Sequence, residues 1–165
     1  MSESVIVWFA WRDRPVALQE MLTSVGAEVV HEEHLLGRLI LGENRDSALF
    51  FYDVGAERDT YDPGLLPVEE ALGEFPNLGL VIELSRRSPE TSATAALNIS
   101  ILLLERYYGV LDNNRQGDLR KLYSYDELCD LREQGLPLVD DYGIDDHIDA
   151  LNSFTENQQT REKEE

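Results

Sequence analysis

Residues 78–109 read LGLVIELSRRSPETSATAALNISILLLERYYG, and this stretch decides the fold. It opens on a near-continuous apolar run, residues 78–84, the pattern of a strand covered on both faces. Ser88 then stands where a helix N-cap is needed. Pro89 takes the first helical position, where its missing N–H costs nothing, and Glu90 suits the positive end of the helix. Ala93, Leu97, Ile101, Leu104 and Tyr108 recur at helical spacing, and Ile99, Leu102 and Leu103 widen the stripe. The spacing predicts a long helix packed on a sheet over much of its circumference and ended by Gly109.

Working toward the N-terminus, residues 5–11 (VIVWFAW) form a second continuous apolar run rich in β-branched and aromatic residues. They predict another strand buried on both faces. Asp13 can cap the element that follows, with Pro15 in its first turn. Leu18, Met21, Leu22 and Val25 fall on one helical face, and Gly26 ends it. Residues 28–36 lean toward strand, Gly37 and residues 42–44 supply turns around residues 38–41, and residues 48–54 predict a further strand. Residues 55–67 are turn-rich, a short helix is expected over 68–74, and Pro76 and Asn77 break it.

Toward the C-terminus, residues 112–118 are again turn-rich. Ser124 and Glu127 then make an S-x-x-E capping box ahead of Leu128 and Leu131, and Gly135 closes that helix. Residues 136–139 fit a last short strand, and residues 156–165 a polar, frayed tail. No repeat or linker divides the chain. The expectation is one α+β domain over residues 1–155, a mostly antiparallel sheet with helices packed on one face.

The 165 residues hold 33 Asp and Glu against 14 Lys and Arg, a formal charge of −19, with 42% hydrophobic residues. Hydrophobic content at that level excludes a disordered acidic tail. The charge repels phosphate backbones and anionic lipid surfaces, because binding to both runs on Lys and Arg, so neither nucleic acid nor membrane is expected as a partner. It favours a cationic partner, a metal or solubility. Cys129 is the sole cysteine, so no internal disulfide can form and a reducing cytoplasm fits. The N-terminal run carries Glu3 in place of a basic region and reads as strand rather than signal peptide, and no run reaches the about 18 apolar residues of a membrane span. A cytoplasmic protein is expected.

The acidity is uneven. Residues 112–165 hold 15 acids and six bases, against 11 and five in residues 1–60 and seven and three in residues 61–111. Its densest piece contains Asp140, Asp141, Tyr142, Asp145, Asp146 and Asp149, with Ile144 and no base among them. One reading is a solvated loop running into a helix whose first turn carries Asp145 and Asp146. Another is an acidic patch that docks against Lys and Arg of a partner, with Tyr142 and Ile144 as apolar contacts. A metal site is a third. Twelve of the 14 bases are Arg. Such a bias also arises as a proteome-wide habit, in which case the acidity would describe the organism.

Other constellations fall short of chemistry. In His31–Glu32–Glu33–His34 the strand expected there points the two histidines to opposite faces, so they do not converge on a metal. Asp112-x-Asn114-x-Gln116-Gly117 mimics the first half of a calcium loop, but Tyr123 stands where the bidentate Glu belongs, and an Asn/Gly-rich turn accounts for the residues. Cys129 sits among acids with no His nearby, which blunts a thiolate, so helix packing explains it better. Ser85, Ser88, Ser92 and Ser100 lie in no G-x-S-x-G elbow, and there is no phosphate-binding loop or dinucleotide fingerprint. Trp8 and Trp11 face opposite sides of the first strand; core for both is the default reading, and the alternative makes one of them a surface anchor. No catalytic residue, metal ligand or cofactor is assigned.

The segment ERYYGVLDN (residues 105–113), followed by LYSYDELCDL (residues 122–131), resembles the C-terminal part of bacterial toxin-immunity proteins of polymorphic and contact-dependent systems. The likeness covers residues 97–131 as a pattern of helix, glycine, Asp/Asn turn and capped helix. It implies a small acidic inhibitor that binds a cognate protein toxin stoichiometrically, and it carries over no catalytic residues. The composition points the same way, since a basic toxin would meet an acidic inhibitor quickly. The alternative is a small carboxylate-based or metal-dependent hydrolase.

Overall fold

The computed structural model describes residues 3–10, 18–30, 32, 35–41, 47–55, 63–85, 89–136 and 138, and all structural statements concern these residues. In chain order they form β1 (Ser4–Phe9), α1 (Leu18–Ser24), β2 (Glu28–Val29), β3 (Leu35–Leu41), β4 (Ser47–Gly55), α2 (Leu66–Leu72), β5 (Leu78–Glu83), α3 (Pro89–Arg106), β6 (Gly109–Asp112), β7 (Leu122–Tyr123) and α4 (Tyr125–Gln134). A 3-10 turn, Pro63–Leu65, leads into α2, and another, Gly117–Leu119, lies between β6 and β7.

The seven strands make one sheet in the order β2-β3-β4-β5-β1-β6-β7, and every neighbouring pair is antiparallel. The two apolar runs of the sequence, β1 and β5, lie side by side inside it, with Val5 opposite Ile82 and Val7 opposite Leu80. Burial on both faces is why their apolar runs are continuous. The α+β class and the antiparallel sheet are as the sequence predicts.

Because side chains alternate along a strand, the sheet has two distinct faces. On the first, Val5, Val7 and Phe9 of β1 join Leu49, Phe51, Leu80, Ile82 and Leu111 beneath α1, α3 and α4. There α3 buries Ala96, Leu97, Ile99, Ile101, Leu103 and Leu104, the broad stripe its spacing predicts. Leu102 and Tyr108 differ from that stripe and are exposed. On the second face Trp8, Ala10 and Val110 meet Leu65, Val68 and Leu72 of the α2 region, so one short helix lies opposite the other three, which corrects the expectation of helices on one face alone.

Local signals account for several helix ends. The αL glycines Gly73 and Gly135 close α2 and α4. The Ser124 hydroxyl accepts from the Glu127 N–H while the Glu127 carboxylate accepts from the Ser124 N–H, completing the capping box. The α2 helix begins two residues earlier than its sequence predicts, with Pro67 in its first turn. The Gly37 turn is corrected: Gly37 lies inside β3 at a bulge, opposite Phe51 and Val29. A Cβ there would sit 2.8 Å from the Glu28 carbonyl oxygen, so close approach of β2 explains the glycine. Both β6 and β7 fall where the sequence predicts no strand, and only Asp112 of β6 lies in the turn-rich stretch 112–118. Asp13, Ser88, residues 56–62 and the tail lie outside the described residues, as do Pro137 and Val139 of the strand expected over 136–139, and its two described residues, Leu136 and Leu138, are in no strand.

Candidate functional site

The acidic patch of Asp140, Asp141, Tyr142, Asp145, Asp146 and Asp149 lies outside the described residues, as do His31, His34 and Trp11. What the structure does assemble is a polar knot where β6 ends against β1, together with an acidic outer surface on α3 and α4.

The knot centres on Asp112, whose side chain is 2% exposed. β6 brings it beside β1, and its alternation turns it to the α2 side of the sheet, where Trp8 also points. The Trp8 indole N–H donates to Oδ2 at 3.3 Å. Arg120, arriving from the far side of the Gly117–Leu119 turn, donates Nη2 to Oδ2 at 2.7 Å and Nε to Oδ1 at 3.3 Å. This two-pronged contact suits the planar guanidinium. The Asn114 N–H adds a fourth bond to Oδ1, at 2.8 Å.

The same loop is closed from within by Asn113, which is 5% exposed. Its Oδ1 accepts from the N–H groups of Lys121 and Arg115, and its Nδ2 donates to the Leu119 carbonyl. Asn114 holds a left-handed φ of 58°, which its short polar side chain tolerates, and its Nδ2 donates to the Ser4 hydroxyl. Arg115 pairs with Glu3 at 3.2 Å, both largely buried. Every one of these bonds fastens the loop to itself, to β1 or to Glu3 just before it. The Asp112 carboxylate is thereby committed to Arg120, Trp8 and Asn114, and a carboxylate so bound is not presented to a cation as a calcium ligand. The loop is the Asn/Gly-rich turn that the sequence favours, in a more ordered form. Among the described residues no group of three or more His, Cys, Asp or Glu is placed to hold a metal ion.

On the outer surface of the helical layer, α3 exposes Glu90 and Glu105 and α4 exposes Asp126, Glu127, Asp130 and Glu133, against exposed Arg106 and Arg132. The two helices bring their charges together. The Cys129 thiol, hydrogen-bonded to the Tyr125 hydroxyl, and behind it the Glu105 carboxylate of α3 hold the Tyr125 phenol above its ordinary value. Cys129 itself is half-buried and packs against the main core, the helix-packing role expected of it. The same layer leaves Leu102 and Leu136 exposed, at 43% and 45%.

Sequence reasoning missed Trp8 and Arg120 as partners of Asp112. The available signal was weak: an acid at the end of an apolar pair, with an Arg eight residues on across a turn. Comparison with protein-family models, with curated protein sequences and with solved structures finds no match to this chain. No described helix is long and apolar enough to cross a membrane.

Proposed function

We propose that this chain is an immunity-type inhibitor that binds and neutralises a cognate, basic protein toxin in the bacterial cytoplasm, acting by stoichiometric binding rather than catalysis. The observation that carries the reading is the surplus of carboxylates. The whole chain stands at −19, and the described residues alone hold 17 acids and six bases. A field of that size accelerates encounter with a cationic protein and disfavours anionic ones. The acidic outer surface of α3 and α4, with exposed Leu102 and Leu136 for apolar contact, is consistent with such a role. The commitment of Asp112 to internal bonds removes it as a candidate acid or base.

The partner is expected among the products of neighbouring genes. Mixed with that protein, the chain should form a 1:1 complex that abolishes toxicity. The association rate should fall about tenfold or more as salt rises through the range where the screening length drops from about 10 Å to about 3 Å. An association rate indifferent to salt would overturn the electrostatic part of the reading. Charge reversal of Asp140, Asp141, Asp145 and Asp146 together should slow association while leaving thermal unfolding in place. Unchanged association would exclude that segment from the interface, and the same reversal at Asp126, Asp130 and Glu133 would then test the α4 surface.

A further inference from the structure

We propose that the Pro63–Leu65 turn and α2 form a latched cap, a unit that opens from the second face of the sheet while the sheet and the α1/α3/α4 layer stay folded. The inference is independent of the inhibitor reading. Three observations carry it. First, α2 has seven residues, too few for a helix to hold itself in water, so its persistence depends on what it is packed against. Second, that packing is small. Leu65, Val68 and Leu72 meet Trp8, Ala10 and Val110 in a cluster separated by the sheet from the main core, and among the described helices α2 alone contributes to it. Removing the cap therefore leaves the other cluster's contacts in place.

Third, the cap is tied at both ends by side chains that belong to other elements. At its start, Arg120 Nη1 donates to the Gly64 carbonyl at 2.7 Å while the rest of the same guanidinium grips Asp112. At its end, the Tyr108 hydroxyl donates to the Leu72 carbonyl at 2.6 Å. Neither bond is part of the cap's own helix, so both break together when the cap lifts. Breaking them costs the sheet no ladder bond. The Arg120 guanidinium retains Asp112 when Gly64 leaves, so opening strands no buried charge. Regions of few buried contacts held by partly exposed bonds are those that open sub-globally.

Native-state hydrogen exchange of the full chain tests this. The amides of residues 70–73, among them the Gly73 N–H bonded to the Glu69 carbonyl, should exchange about tenfold or more faster than those of β1 and β5. Their exchange should depend weakly on low denaturant, as expected for an opening that exposes little surface. Tyr108→Phe, which deletes one latch and no packing, should speed α2 exchange about fivefold, the worth of one hydrogen bond, and leave β1 exchange unchanged. If the α2 amides follow the same denaturant dependence as β1 and β5, or if Tyr108→Phe speeds both regions equally, the cap does not open separately and the proposal fails.

Discussion

On one face of the sheet, Phe51, Leu80 and Ile82 lie under three helices within a cluster of twenty buried residues; on the other, Trp8 and Val110 lie under one seven-residue helix within a cluster of six. The thicker face is held by burial of apolar area, which needs no directional partner. The thinner face combines modest burial with specific polar ties: Arg120 to Gly64, Tyr108 to Leu72, and the Trp8–Asp112–Arg120 chain that runs beneath. A large apolar layer tolerates the loss of any one contact by degrees. A small layer fastened by a few hydrogen bonds depends on each of them, because a buried donor or acceptor that loses its partner keeps its desolvation cost.

Substitutions on the two faces can break or sharpen this contrast. Phe51→Ala, at a fully buried position of the thick face, should cost about 3–5 kcal/mol in urea unfolding and shift every spectroscopic probe together. Arg120→Ala should come close to it, about 3 kcal/mol, although Arg120 itself is not buried, because it leaves the Asp112 carboxylate inside without its cation. A cost near that of an ordinary surface ion pair would show the knot to be dispensable. Leu72→Ala, fully buried on the thin face, should cost about 2 kcal/mol, the low end for such truncations, since a single short helix relaxes around the gap. An equal cost for Leu72→Ala and Phe51→Ala would erase the distinction between the faces.

The smallest effect is expected at alkaline pH. Burial, and then the neighbouring Glu83 charge, hold the Tyr52 phenol above its ordinary value of 10.0. The unfolded chain ionises near 10 while the folded one resists, so the contribution to stability is present below that pH and is lost as pH rises through the folded value. Tyr125 acts in the same sense. Tyr52→Phe should therefore flatten the decline of melting temperature above pH 10, and an unaltered decline would assign it to Tyr125 or other groups.

Elements whose signals are long or chemically redundant were legible without coordinates. β1 and β5 show as continuous apolar runs, α3 as an eighteen-residue stripe opened by Pro89, and α4 as a capping box with a closing glycine. β6 and β7, of four and two residues, were not, since a period of two has no room to declare itself in so short a run. Their strand character comes from pairing with β1 and with each other. Gly37 reads as a turn residue by type, yet it serves a close backbone approach that only the β2–β3 pairing creates. Asp112 was visible as a turn acid. Its true partners stand eight residues away, in Arg120, and 104 away, in Trp8.

By itself the sequence determined the class of fold, the buried central strands, the ends of the major helices and the excess of negative charge. Those properties are local or additive: periodicity, capping chemistry and net charge are sums over neighbouring residues. The tertiary structure alone decided which face each helix covers, which short segments become edge strands, and which carboxylate is consumed internally. An apolar stripe records that a helix must be covered but not by what, and a carboxylate's role is set by the cations and donors that chain crossing brings within about 3 Å of it.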